Sequence, residues 1–130
     1  MKVTFQVQDS FRVSAKKLYI AWLSAKEHAK MTGGEATCEA VVGGDFSAWD
    51  GYITGKIISL IPNQEIVQTW RTTEFSENDE DSEVTIQFVE TNDGCDVILT
   101  HKNIPAGQPD YAQGWEDYYF TPMTDYFEGV

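Results

Sequence analysis

The chain has 130 residues, which is enough for one domain with a single hydrophobic core and too few for two. Apolar residues make up 42% of the sequence and aromatic residues 13%, more than an intrinsically disordered acidic chain carries. The 21 acidic residues outnumber the 9 basic residues, which gives a formal net charge of −12. Because this charge repels phosphate backbones and anionic lipid heads, we expect neither nucleic acid nor a membrane as a partner.

Segments without a charged residue are too short for a transmembrane helix, and the amino terminus lacks the pattern of a signal peptide. The two cysteines, Cys38 and Cys95, have no CxxC partner, so we expect reduced thiols in a cytoplasmic protein. Basic residues concentrate before position 31, whereas the segment from Glu74 to Asp96 is acidic and has no base. This asymmetry fits two solvated surfaces, and it also fits steering toward a partner of complementary charge.

The first third of the chain predicts one strand and two short helices. Apolar and polar residues alternate from position 3 to 8, as in a half-buried strand. Ser14 is placed to cap a helix whose apolar residues recur at helical spacing. Ser24 and Glu27 have the spacing of a capping box, and Gly33 follows as a stop signal, which predicts a second helix.

A period of two then returns for about sixty residues. Turn signals divide this region into six predicted strands: 37–42, 45–49, 52–60, 65–72, 83–91 and 95–102. Since the loops between them are short, we expect antiparallel neighbours.

The last segment predicts a long helix that begins after Asp110 and is interrupted at Thr121–Pro122, by a kink or by a locally released carbonyl. Its apolar positions form a stripe of mostly aromatic residues, and no other predicted element is long enough to cover the sheet. The order of elements therefore predicts an α+β helix-grip fold: a curved antiparallel sheet wrapped around the carboxy-terminal helix, with two short helices after the first strand.

Large aromatic side chains between helix and sheet favour an apolar cavity that holds a small hydrophobic ligand. The candidate lining residues are Phe46, Trp70, Ile86, Phe88, Val97, Leu99, His101, Trp115, Tyr119 and Met123. A filled aromatic core would give the same sequence pattern, so both interpretations stay open.

The sequence contains no recognisable catalytic or metal-binding set, so we expect no enzyme activity, no cofactor and no metal. His28 lies in the polar second helix, where we expect it to be exposed. His101 shares the apolar face of its strand, either at the mouth of the cavity or as a hydrogen-bonded structural histidine. An enzyme of the cyclase kind would need His101 to meet an acid such as Glu39 or Asp96.

Several motifs together resemble one family over essentially the whole chain. They are Gly43-Gly44-Asp45-Phe46, Asp50-Gly51, Ile66-Val67-Gln68-Thr69-Trp70-Arg71, Ile104-Pro105-Ala106 and Gln113-Gly114-Trp115 with Tyr118-Tyr119-Phe120. This succession resembles the carboxy-terminal domain of the activator of heat-shock protein 90 ATPase, an AHSA-type domain of the START-like, Bet v 1-like (SRPBCC) superfamily. The resemblance implies a single domain over residues 1–130 with a helix-grip fold.

The resemblance also implies a function. It favours a non-catalytic binding domain that associates with a chaperone of the heat-shock protein 90 type, as a modulator in the stress response. The alternative is a carrier or sensor of a small apolar ligand in the cavity between sheet and helix, as in other members of the superfamily.

Overall fold

The alternating pattern forms a sheet of seven strands. The structure, a computed structural model, describes residues 2–128. The strands are β1 (Lys2–Phe11), β2 (Thr37–Cys38), β3 (Asp45–Ala48), β4 (Ile53–Ile61), β5 (Glu65–Thr72), β6 (Ser82–Glu90) and β7 (Cys95–Pro105). All neighbours are antiparallel, and their order is β1-β7-β6-β5-β4-β3-β2. The first strand therefore pairs with the last, and the intervening meander reaches the opposite edge.

Two short helices follow the first strand, and both begin at the predicted serine caps. In α1 (Ala15–Leu23), the Ser14 side chain accepts a hydrogen bond from the Lys17 amide at 3.1 Å. In α2 (Ala25–Thr32), Ser24 accepts one from the Glu27 amide at 3.3 Å. Gly33, with a φ of 91°, ends α2 in the left-handed conformation that glycine adopts without strain.

Strand β2 is shorter than the sequence predicts, and the prediction of a strand over residues 39–42 is wrong. The Glu39 amide still bonds to the Asp45 carbonyl at 2.9 Å, but the Val41 amide turns back to the Glu39 carbonyl at 2.8 Å. Val41 and Val42 are 53% and 63% exposed. Two apolar residues of a tight loop thus resemble the buried positions of a strand in the sequence.

The carboxy-terminal segment is one continuous rod, called the terminal helix below. It consists of α3 (Tyr111–Trp115), a π-helical turn (Glu116–Phe120) and α4 (Thr121–Glu128). Asp110 caps it by accepting a hydrogen bond from the Gln113 amide at 3.1 Å. The irregularity is the π turn that directly precedes Pro122, in which the Thr121 amide bonds back to the Glu116 carbonyl; this wider turn lets the rod continue past a residue that has no amide to donate.

The terminal helix lies against the inner face of the curved sheet, which confirms the helix-grip architecture. Its buried residues are Tyr111, Trp115, Tyr119, Phe120, Met123 and Phe127. Trp22 from α1 stacks on Tyr119 with ring centroids 5.3 Å apart, so the short helices help to hold it. Within residues 2–128, the structure has no helix both long and apolar enough to cross a bilayer.

Candidate functional site

A cavity of about 390 Å³ lies between the first turns of the terminal helix and the turn that joins β3 to β4. Most of its lining is aromatic. The lining residues are Trp49, Tyr52, Ile53, Trp70, Pro109, Asp110, Tyr111, Gly114, Trp115, Tyr118 and Tyr119. This volume is in the range of sites that hold small organic molecules.

The cavity has a buried floor and an exposed mouth. Trp70, Trp115 and Tyr119 are 3–4% exposed and form part of the floor. At the mouth, Asp110 is exposed and Tyr118 is 59% exposed. An opening of this kind allows a ligand to enter without unfolding of the terminal helix.

The rim opposite the helix is a strained turn. Trp49 has a φ of 52° and Asp50 a φ of 60°, a left-handed conformation that a bulky tryptophan rarely adopts. The Asp50 carboxylate accepts a hydrogen bond from the Glu35 amide at 2.8 Å, which ties the turn to the segment after α2. A Cβ at Gly34 would lie 2.6 Å from the Trp49 ring, so glycine is required there for the indole to approach.

The polar groups of two lining tyrosines are already satisfied by the protein. The Tyr111 hydroxyl donates to Gln108 Oε1 at 2.7 Å and lies 2.8 Å from the Thr72 hydroxyl. The Tyr52 hydroxyl donates to Glu74 Oε2 at 2.6 Å. Burial raises the pKa of both phenols, and for Tyr52 the bond to the Glu74 carboxylate raises the pKa further. Both tyrosines are therefore neutral at physiological pH.

His101 is fully buried behind the cavity floor and works as a structural connector. The Trp115 indole N–H donates to its Nδ1 at 3.1 Å, and its Nε2 lies 2.8 Å from Ser82 Oγ. Because Ser82 Oγ donates to the Trp70 carbonyl at 2.6 Å, Nε2 must be the donor to Ser82, which fixes the neutral Nε2–H tautomer. Burial lowers the pKa of His101 to about 3.

His28 is buried, so the expectation that it is exposed is wrong. It is 7% exposed, and its Nδ1 lies 2.9 Å from the Trp22 carbonyl, to which it can only donate. Its Nε2 accepts a hydrogen bond from the Tyr119 hydroxyl at 2.8 Å. Burial lowers the pKa of His28, so this ring is also neutral. Because α2 is mostly polar, its sequence pattern does not indicate that position 28 faces the terminal helix.

The acids that a cyclase would need do not meet His101. The Asp96 carboxylate accepts a hydrogen bond from the Ser10 hydroxyl at 2.6 Å, and Glu39 is exposed in the loop after β2. Both ring nitrogens of His101 are occupied by Trp115 and Ser82.

The structure brings only some of the predicted lining residues to the cavity. Trp70, Trp115 and Tyr119 line it, and His101 lies directly behind Trp115. Five others pack in the closed core at 0–4% exposure: Ile86, Phe88, Val97, Leu99 and Met123. Phe46 lies in a separate small recess beside β2. Binding of a ligand by any of these residues stays a prediction.

Sequence reasoning missed four of the seven aromatic residues of the lining: Trp49, Tyr52, Tyr111 and Tyr118. Trp49 and Tyr52 were predicted as the ends of the strands 45–49 and 52–60, but the structure places both in the turn between β3 and β4. Tyr118 was predicted as part of the apolar stripe, but the structure leaves it 59% exposed; it follows Gly114 by four residues and stands on the same face of the helix. The sequence signal for an open helix face is an aromatic residue that follows a glycine by one helical turn.

Comparison with known proteins places the chain among relatives of a chaperone activator. The family model described as Activator of Hsp90 ATPase homolog 1-like protein matches residues 12–128. The human activator of 90 kDa heat shock protein ATPase homolog 1 is 29% identical over 122 residues, covering 93% of this chain and 36% of that protein. The Dictyostelium discoideum homolog is 30% identical over 115 residues, with coverages of 87% and 30%. The chain thus spans about a third of the length of these curated relatives.

Solved structures share the fold. A Plasmodium falciparum HSP90 activator superposes with a TM-score of 0.83 at 24% identity, covering 97% of this chain and 96% of that chain. The Aha1 dimer from Colwellia psychrerythraea gives a TM-score of 0.80 at 20% identity, with coverages of 97% and 96%. CalU16 from Micromonospora echinospora gives a TM-score of 0.81 at 19% identity, with coverages of 97% and 74%. With the family model matching most of the sequence, the chain belongs to the Activator of Hsp90 ATPase homolog 1-like family.

Proposed function

We propose that this chain is a non-catalytic, cytoplasmic binding module that associates with a 90 kDa heat-shock chaperone and modulates its ATPase. Family membership over residues 12–128 carries this proposal. The printed names of the human and Dictyostelium relatives, as activators of that ATPase, support it. The histidine geometry supports a non-catalytic role, because every ring nitrogen of His28 and His101 is hydrogen-bonded to a protein partner and none is left to exchange a proton with a substrate.

The surface best suited to an acidic partner is a basic face formed by α1, α2 and Arg12, which lies shortly before α1. Its side chains are all exposed: Arg12, Lys16, Lys17, Lys26 and Lys30. Within residues 2–128, the four lysines of this basic face form no ion pair, whereas Lys56 and Lys102 are paired with Asp45 and Glu83. Unpaired lysines on a chain of net charge −12 leave a positive surface free for docking.

The direct test measures the ATPase turnover of the source organism's 90 kDa heat-shock chaperone with and without the full chain at low salt. We expect turnover to change on addition, and the change to weaken as salt is raised. The double variant Lys16→Gln/Lys17→Gln should reduce the effect several-fold, because it removes two charges from the basic face.

The double variant Lys56→Gln/Lys102→Gln is the matched control, since it removes the same charge from residues outside that face. It should behave like the unmodified chain. Absence of any complex or any change in turnover at low salt would overturn the proposal. Equal loss in both double variants would show that net charge matters and that the basic face is not the docking surface.

A second candidate function is supported by the cavity of about 390 Å³. An open, mostly aromatic chamber of this size favours a carrier or sensor of a small apolar ligand. Displacement of an apolar fluorescent dye, together with native mass spectrometry of freshly purified protein, tests it. We expect the dye to bind with a stoichiometry of one and to be lost in a variant with a filled chamber, such as Gly114→Leu. No dye binding by the unmodified chain would overturn this candidate.

A further inference from the structure

The chemistry of the cavity lining points to the charge of its ligand, an inference that rests on the second candidate function above. Seven of the eleven lining residues are aromatic: Trp49, Tyr52, Trp70, Tyr111, Trp115, Tyr118 and Tyr119. The face of an aromatic ring carries negative electrostatic potential and attracts a cation that lies within about 6 Å of its centre. Where the faces of such rings border the chamber, they favour a positively charged guest.

The charges around the cavity have the same sign. Asp110 is the one charged residue of the lining, and neither lysine, arginine nor histidine contributes to the lining within residues 2–128. Asp110 forms no ion pair with any described residue. A second carboxylate, that of Glu74, lies 2.6 Å from the hydroxyl of the lining residue Tyr52.

The dipole of the terminal helix opposes this field but does not cancel it. Its amino end carries the equivalent of about half a positive charge. The full negative charge of Asp110 stands at that end and accepts the hydrogen bond of the Gln113 amide. Because one full negative charge exceeds half a positive one, the sum at the mouth remains negative, so an anionic ligand would be repelled and would meet no basic partner among the described residues of the lining.

Trp49 indicates that the rim is held in place at a local cost. Its backbone is left-handed, a conformation that is strained for a bulky residue. Its indole N–H is buried and has no hydrogen-bond partner among the described residues. Despite both penalties, the indole packs edge-on against Tyr118 with ring centroids 5.7 Å apart, across the mouth of the cavity. Rings fixed in this way are expected where their faces serve a ligand.

We propose that the cavity binds an organic cation, an ammonium group whose substituents are apolar or aromatic. The aromatic faces and the carboxylate at the mouth recognise its charge, while the apolar floor takes its substituents.

The test compares two probes of the same shape, benzyltrimethylammonium and its uncharged carbon isostere neopentylbenzene, by titration of the intrinsic tryptophan fluorescence. We expect the cation to bind at least about tenfold more tightly than the isostere, and salt to weaken the binding of the cation only. Equal or tighter binding of the isostere would overturn the charge assignment and leave the apolar carrier function standing. Absence of binding by either probe would overturn both.

Asp110→Asn separates charge from structure, because asparagine also caps helices well. It should weaken the binding of the cation by roughly fivefold, as expected for one exposed carboxylate, and leave the binding of the isostere unchanged. The matched control is Asp125→Asn, which removes an exposed charge from the same helix outside the cavity. An equal effect of both substitutions would contradict a specific role of Asp110.

Tyr118 tests the aromatic contribution at an exposed position, where folding depends little on the side chain. Tyr118→Phe keeps the ring face and should keep the affinity for benzyltrimethylammonium. Tyr118→Leu should weaken it about two- to fivefold. Affinity that follows side-chain size instead, with leucine as good as phenylalanine, would show that the ring face has no part in binding.

Discussion

Acidification from pH 7 to pH 5 should destabilise the protein through one buried ring. His101 accepts the Trp115 indole proton at Nδ1 and donates to Ser82 at Nε2, so a protonated ring would direct an N–H at another N–H. Burial lowers the pKa of His101 from 6.5 to about 3. Below pH 6.5 the unfolded chain takes up a proton that the folded chain refuses, so stability falls as the pH drops toward 3.

The magnitude follows from these two values. At pH 5, His101 is almost fully protonated in the unfolded chain and almost fully neutral in the folded chain. The resulting loss of unfolding free energy between pH 7 and pH 5 is about 2 kcal/mol. This corresponds to a fall of about 1 M in the urea midpoint for a domain of this size. The lowered pKa of His28 adds to the loss in the same direction.

Urea denaturation of the unmodified chain and of His101→Gln at several values of pH isolates the contribution. Glutamine can accept and donate one hydrogen bond but does not titrate, so the variant should lose about 2 kcal/mol less than the unmodified chain over this range. Its stability at pH 7 is lower or equal and does not enter the comparison. A pH dependence identical in both proteins would refute the assignment of the neutral buried ring, as would protonation of folded His101 near pH 6 by nuclear magnetic resonance.

Three further predictions concern single side chains. Tyr119→Phe leaves His28 Nε2 buried without its donor and should lower the unfolding free energy by about 1–3 kcal/mol in urea denaturation; an unchanged midpoint would contradict the bond. Lys17→Glu creates a capping box with Ser14 and should raise stability by about 0.5–1 kcal/mol in thermal melting, while chaperone modulation weakens; a stability gain without functional loss would remove Lys17 from the docking surface. Gly114→Ala should also stabilise, by about 0.4–1 kcal/mol, since an added Cβ meets nothing closer than 4.0 Å; a lower melting temperature would contradict that space.

The architecture followed from local patterns that depend on few neighbours. Serine caps at Ser14 and Ser24, alternating strands and one long aromatic helix are each dictated within about ten residues of sequence. Where tertiary contacts decide, local patterns failed. His28 is buried because Trp22 and Tyr119 come to it from other elements, which no periodicity within α2 records.

Most of the residues predicted to line a cavity lie away from the chamber of about 390 Å³. Periodicity identifies residues that face the interior, and Leu99 and Val97 do so, but both are fully buried in the hydrophobic core and neither lines the chamber. The space lies instead near one end of the rod, where the turn at Trp49 meets Tyr118. Such a meeting of a turn and a half-exposed helix position arises from the three-dimensional path of the chain.

The π turn at Glu116–Phe120 constrains how the sequence of the terminal helix can change in evolution. Each residue of an α-helix advances the azimuth by about 100°, so a single inserted residue turns everything beyond it by that angle. The π turn absorbs such an insertion: Trp115 before it, Tyr119 within it and Met123 and Phe127 after it are all buried. Deletion of one residue here would make the helix regular and would rotate Met123 and Phe127 away from the sheet. Relatives in which the second half of the terminal helix is buried can therefore gain or lose the extra residue only if the contacts between that half and the sheet rearrange as well.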